Sequence, residues 1–109
     1  MAAEGWLAAT WPVVHAQLPA APARVVELGC GPLGGFVPRL RASGYDAVGV
    51  DPNAPEEEGY HRVTFERAEL PADADALIAS ASLHHVADPA EVLDRVAATL
   101  APGGVVVVV

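Results

Sequence analysis

The chain has 109 residues, enough for one domain, and 52% of them are hydrophobic, which suits a buried α/β core rather than a disordered segment. With 14 acids against 6 Lys and Arg the formal charge is −8, an argument against nucleic acid, whose phosphates need a basic face. Cys30 is the only cysteine, so no internal disulfide can form. There is no basic leader and no apolar run near the ~20 residues of a membrane helix, so a soluble, cytoplasmic protein is expected.

Residues 1–23 form an N-terminal helical segment and linker, ahead of a domain over 24–109. In "WLAATWPVVHAQL" apolar side chains recur at roughly helical spacing. Pro12 predicts a break there, with the proline in the first turn of a second piece. "PAAPA" then serves as a stiff connector. From Arg24 short strands alternate with helices. "RVVEL" is a β-branched run stopped by glycine, as a buried parallel strand should be. "GGFVPRLRASG" reads as a helix with Phe36, Val37 and Leu40 on one face and Gly44 as its stop. "YDAVGVD" is a second strand ending at Asp51, and "PNAPEEEGYHR" a turn or shortened helix. "RVTFE" reads as a third strand and "DALIAS" as a fourth. Asp88 is placed to cap the next helix, with Pro89 at its first position and Glu91 at the capping-box site. Val92, Leu93, Val96 and Leu100 make its apolar stripe. "APGG" ends it, and "VVVVV" is a fifth strand.

This alternation predicts an α/β fold with a mostly parallel sheet of about five strands and crossover helices. Ligands of such sheets sit beyond the carboxyl ends of the strands. The segment Glu27–Gly31, Asp51, Glu66 and Ser80–Ser82 all fall at such ends. Gly29, Gly31 and Gly34 satisfy G-x-G-x-x-G, a weak signal alone, since glycines also serve a tight strand-to-helix turn. Asp51, 20 residues after Gly31, can accept both hydroxyls of a ribose; D-P-N is equally a turn sequence. Glu27 discriminates between ligands. An acid beside the loop repels a pyrophosphate but suits an ammonium or sulfonium group. Its plain alternative role is to bond nearby backbone amides, and the two roles are compatible.

From Arg24 to Val109 the chain resembles the class I, Rossmann-like S-adenosylmethionine-dependent methyltransferases of the small-molecule type. "VVELGCGPLGG" resembles the family's first motif and "AVGVDPN" its second. "FERAELP" is similar to the adenine-binding segment, and "ALIASASLHHVADPAEVLDRVAATLAPGGVVVVV" to the fourth- and fifth-strand blocks. The resemblance implies a three-layer fold that binds S-adenosylmethionine, releases S-adenosylhomocysteine and methylates a small-molecule acceptor. Residue by residue, it implies that Glu27, Gly29 and Gly31, with Cys30 between the glycines, line the amino-acid moiety. Asp51 would hold the ribose, and Pro52, Glu66 and the backbone amide of Arg67 would meet the adenine. Ser80 and Ala81 would approach the methionine part through main chain.

The loop departs from the family pattern: Leu33 stands where a third glycine is usual, and Gly34-Gly35 follow. The family also continues past the fifth strand, so the sequence reads as C-terminally truncated. "VVVVV" would then be an unpaired edge that calls for a second copy or a protein partner, or else lowers solubility. His84 and His85 are the catalytic candidates, as a general base where the acceptor must lose a proton; the bland alternative is local packing and bonding. A metal site built from His84, His85 and Asp88 is not expected, because adjacent histidines in an extended segment diverge. Trp6 and Trp11 at helical spacing read first as a buried helix face, and as a substrate lid only second. Two rivals remain to methyl transfer: a non-catalytic cofactor-binding or scaffold member of an assembly, and a nicotinamide-dinucleotide module.

Overall fold

The apolar run that stops at Gly29 forms β1 (Arg24–Leu28), the middle strand of a five-stranded sheet in the computed structural model, which describes residues 2–70, 73–79 and 89–109. β2 (Asp46–Val50) pairs with β1 in parallel, placing Gly49 opposite Glu27. Tyr60–His61 is β3, a two-residue strand on the far side of β2. β4 (Ala74–Ala79) flanks β1 on its other side with Ile78 opposite Glu27, and β5 (Leu100–Val108) lies outside β4. All four pairings are parallel, in the order β3-β2-β1-β4-β5. This is the α/β sheet with about five strands expected from the alternation. The chain moves outward from β1 to β3 and then returns to β4 beside β1. That reversal puts the topological switch point at the carboxyl ends of β1 and β4.

Alternate residues of each strand face opposite layers. Val25 and Ile78 pack with Leu7 and Val14 of α1 (Ala2–Gln17) and with Val37 and Leu40 of α2 (Val37–Ala42). Val26, Leu28 and Leu77 face the other layer, with Phe65 of a 3₁₀ turn (Phe65–Arg67) and Val96 of α3 (Pro89–Thr99). Each such aliphatic side chain contributes about 1.5–3 kcal/mol through removal from water. At the amino end of the sheet Arg24 gathers three acids: Nε donates to Asp46 at 3.2 Å, Nη1 to Asp73 at 2.8 Å, and its backbone N–H to Asp75 at 2.9 Å. These pairs are exposed and fix register more than they stabilise.

Four local expectations are corrected. Pro12 does not break α1, which runs continuously through it. Both Pro12 and Ala8, whose carbonyl loses its helical donor, are exposed, so the interruption falls on the outer face of the helix and not in the core. The third strand is Tyr60–His61 and not "RVTFE", because Phe65–Arg67 coils into the 3₁₀ turn that buries Phe65. The helix after β1 is limited to six residues, Val37–Ala42, since Gly31–Phe36 is spent on turns. "APGG" does not separate α3 from the last strand: Leu100 already pairs with Ala74, and Ala101–Gly104 bulge before Val105 meets Ala76. The cap residue expected at Asp88 lies outside the described residues.

β5 lies at the edge, as its sequence suggested, with Val107 buried and Val106 and Val108 exposed. No helix among the described residues is long and apolar enough to cross a membrane.

Because Pro12 sits inside one continuous helix, Pro12→Ala restores an N–H···O bond and should raise stability, by up to about 3 kcal/mol. Thermal or urea unfolding reads this directly. An unchanged or lowered midpoint would instead fit a helix that starts afresh at Pro12.

Candidate functional site

Beyond Leu28 the chain is pulled toward the end of β2. The N–H groups of Gly29 and Cys30 both point at the Val50 carbonyl, at 2.8 and 3.4 Å. This brings bare glycine backbone beside Asp51. The following residues turn twice, with Gly34 N–H on the Gly31 carbonyl at 3.3 Å and Val37 N–H on the Gly34 carbonyl at 3.1 Å. Gly34 and Gly35 both take positive φ, +90° and +59°, values that side chains resist. Beneath this loop the Glu27 carboxylate is 1% exposed and accepts the Phe36 N–H at 2.8 Å. A Cβ on Gly35 would stand 2.5–2.8 Å from that carboxylate. Gly35 therefore serves twice, for its backbone angle and for the close approach of Glu27.

Asp51, half-buried, is oriented by an Asx turn: its Oδ1 accepts the Asn53 N–H at 2.8 Å. Its own N–H reaches the His61 carbonyl at 3.1 Å, fixing the aspartate to the end of β3. Cys30 lies between the acids. Burial, then the Glu27 carboxylate, then Asp51, push its thiol from 9.0 up to about 12. The loop is therefore a place of negative potential, and its cysteine an inert thiol rather than a nucleophile.

The structure thus brings together Glu27, Gly29, Cys30, Gly31 and Asp51, with Pro52 exposed beside them. Glu66 and Arg67 lie in the 3₁₀ turn, where the Arg67 N–H already donates to the Thr64 carbonyl at 3.1 Å. The Glu66 side chain and all of Ser80, Ala81, His84 and His85 lie outside the described residues. Among the described residues no three His, Cys, Asp or Glu side chains gather as metal ligands would. Trp11 stacks on His15 at 4.8 Å and lies 6.0 Å from Phe36, partly buried against the core. Trp6, 5.9 Å from the same ring, stays 40% exposed. Tyr60, which sequence reading passed over, lies against the loop. Its only sequence signal is an aromatic next to Gly59, where the chain joins the sheet edge.

A family model for the methyltransferase domain matches residues 7–109. The chain belongs to the methyltransferase-domain family. Two solved structures share its fold. One, from Anabaena variabilis, is assigned as a methyltransferase of an antibiotic biosynthesis pathway; it has 18% identity and a TM-score of 0.74, over 89% of this chain and 42% of its own. The other, from Listeria monocytogenes, is assigned as an S-adenosylmethionine-dependent methyltransferase; it has 21% identity and a TM-score of 0.69, over 87% of this chain and 49% of its own. The chain therefore spans less than half the length of either. No curated protein matches it. In this methyltransferase domain the glycine loop and Asp51 occupy the carboxyl ends of β1 and β2, beside the switch point.

Three outcomes are expected of this site. Iodoacetamide at pH 8 should alkylate Cys30 at least about a hundredfold more slowly in the folded protein than in urea, because the thiolate is suppressed. A thiol raised in the fold keeps its proton there after the unfolded chain has lost it. Stability linked to Cys30 is therefore complete below pH 9.0 and declines toward about pH 12; Cys30→Ala should flatten that decline in unfolding measured across the window. Separately, Gly35→Ala should destabilise by about 1–3 kcal/mol from backbone strain, with more if Glu27 cannot shift.

Proposed function

We propose that the chain binds S-adenosylmethionine at the Gly29–Gly31 loop and Asp51, and serves methyl transfer to a small-molecule acceptor. The observation that carries this is geometric: a buried carboxylate, Glu27, sits beneath the glycine loop and accepts the Phe36 N–H, while Asp51 stands at the adjoining strand end. A cationic ligand gains from those charges and a diphosphate loses. The residues present fit the group. Bare backbone at Gly29 and Gly31 permits close approach, and Asp51 is held at a strand end with its Oδ2 outside the Asx turn, where it can take a ribose hydroxyl. Glu27 contributes charge and loop shape from below, since its carboxylate is buried.

When bound, S-adenosylmethionine supplies an electrophilic methyl group on a sulfonium. The chain's own task is then to orient and to exclude water, which supplies much of the rate of a displacement. Pro52 and Glu66 extend the proposed site toward the adenine, without the Arg67 N–H, which is bonded to the Thr64 carbonyl, and Ser80 and Ala81 extend it toward the methionine part. Where the acceptor must lose a proton, His84 and His85 are the candidate bases. The acidity of the chain supports a small acceptor over a nucleic acid.

S-adenosylhomocysteine at about 100 times its Kd should stabilise the protein by about 2.7 kcal/mol, raising the melting temperature by several degrees. NAD should leave it unmoved. Asp51→Ala should abolish the shift while leaving the unliganded protein folded. A shift with NAD alone would replace this reading by a dinucleotide module. Binding without transfer of labelled methyl to any component of a metabolite extract would favour a cofactor-binding scaffold.

A further inference from the structure

Tyr60 stands on a two-residue strand at the sheet edge, yet its ring spans two other elements. A Cβ on Gly49 of β2 would lie 2.9 Å from Tyr60 Cδ1. A Cβ on Gly34 in the loop would lie 3.1 Å from Cζ and 3.4 Å from Cε1, with the hydroxyl nearer still. The ring therefore fills the space that side chains at Gly34 and Gly49 would otherwise take. Cys30 Sγ approaches the same Gly49 position at 2.9 Å, so ring and thiol both occupy the space above Gly49.

Arg41 of α2 holds the ring in place. Its guanidinium carbon stands 5.3 Å from the Tyr60 ring centroid, within cation–π range. The same guanidinium donates through Nη2 to the Ala47 carbonyl at 3.2 Å and the Glu58 carbonyl at 3.3 Å. Those bonds tie the segment before β3 to the open edge of β2, beyond the short stretch that β3 itself pairs. A two-residue strand has too little ladder to fix its own side chain, and Arg41 supplies the missing restraint.

We infer that Tyr60, latched by Arg41, is a positioning residue that wedges the Gly31–Gly35 turn into the shape that receives the cofactor. This deepens the proposed function and rests on its reading of the loop as the cofactor site. It also accounts for the displaced glycines of the loop. Gly34 makes room for Tyr60 from one side, and Gly35 for Glu27 from the other. The turn is clamped between a ring and a carboxylate, each entering where a Cβ would be.

The test compares Tyr60→Phe, Tyr60→Leu and Arg41→Gln with the unaltered chain through three readouts: melting temperature, S-adenosylhomocysteine Kd by calorimetry, and hydrogen exchange of the Phe36 and Val37 amides without ligand. Tyr60→Phe keeps the ring and should hold Kd within about threefold. Tyr60→Leu should weaken binding tenfold or more and speed exchange at both amides by a similar factor, with Arg41→Gln between the two. A lowered melting temperature with Kd and exchange unchanged would overturn the inference, leaving Tyr60 as ordinary packing. If the unaltered chain binds no S-adenosylhomocysteine, the cofactor reading fails by itself. Exchange at Phe36 and Val37 then still decides whether Tyr60 sets the turn: unchanged exchange in Tyr60→Leu rejects the wedge, and faster exchange upholds its structural half.

Discussion

The Glu27 carboxylate is withdrawn from water at the end of the central strand and accepts the Phe36 N–H. A hydrogen bond to a charged acceptor is worth about 1.5–3 kcal/mol, and more is lost if either partner is left buried and alone. This one bond joins β1 to the first residue before α2 across the whole glycine loop. It decides how far the loop can travel from the sheet, and so where Gly29 to Gly31 lie relative to Asp51. The sheet in turn makes the bond available. Glu27 faces the α1–α2 layer because its neighbours Val26 and Leu28 fill the other one. Gly49, its partner across β2, leaves the space beside it for Cys30 and Tyr60.

The same bond explains why the site is electrostatically unusual. Burying a carboxylate is costly unless it is satisfied, and here a backbone amide satisfies it. Burial first, and then Glu27 and Asp51, raise the neighbouring Cys30 thiol. The two acids on neighbouring strands differ in burial and in partner, Glu27 buried on the Phe36 N–H and Asp51 half-buried on the Asn53 N–H.

The parts that could be read from residues alone were those written in local chemistry. "RVVEL" before glycine, "YDAVGVD" and "DALIAS" are β-branched or apolar runs with a breaker close by, and they became β1, β2 and β4 to within a residue at each end. The cluster of Glu27, the glycines and Asp51 followed from their place at strand ends, which topology guarantees. What escaped were features that depend on distant partners. Pro12 looks like a helix break until both Pro12 and Ala8 are known to face water. "RVTFE" has strand composition, yet Phe65 gains more by coiling into the core, with Arg95 of α3 over its ring at 5.4 Å. Tyr60 carries only the weak local signal of an aromatic after Gly59, since its neighbours Gly34 and Gly49 lie 26 and 11 residues away.

These contacts also bear on which ligand the loop can accept. In a dinucleotide-binding turn, the free N–H groups at the start of the following helix receive the pyrophosphate. In this chain the first of those groups, on Phe36, is already taken by the protein's own carboxylate. The amide of Val37 is spent on the Gly34 carbonyl, and the helix itself is only six residues long, with a correspondingly weak dipole. A diphosphate arriving there would have to displace Glu27 from its burial and then face Asp51 across the loop. On the proposed reading, a cationic ligand would leave the Glu27–Phe36 bond in place. The glycine spacing, shared by both ligand classes, is silent on the choice. The hydrogen bond beneath it is what favours the proposed cationic ligand, because the Phe36 N–H at the helix start is already bonded to the chain's own carboxylate.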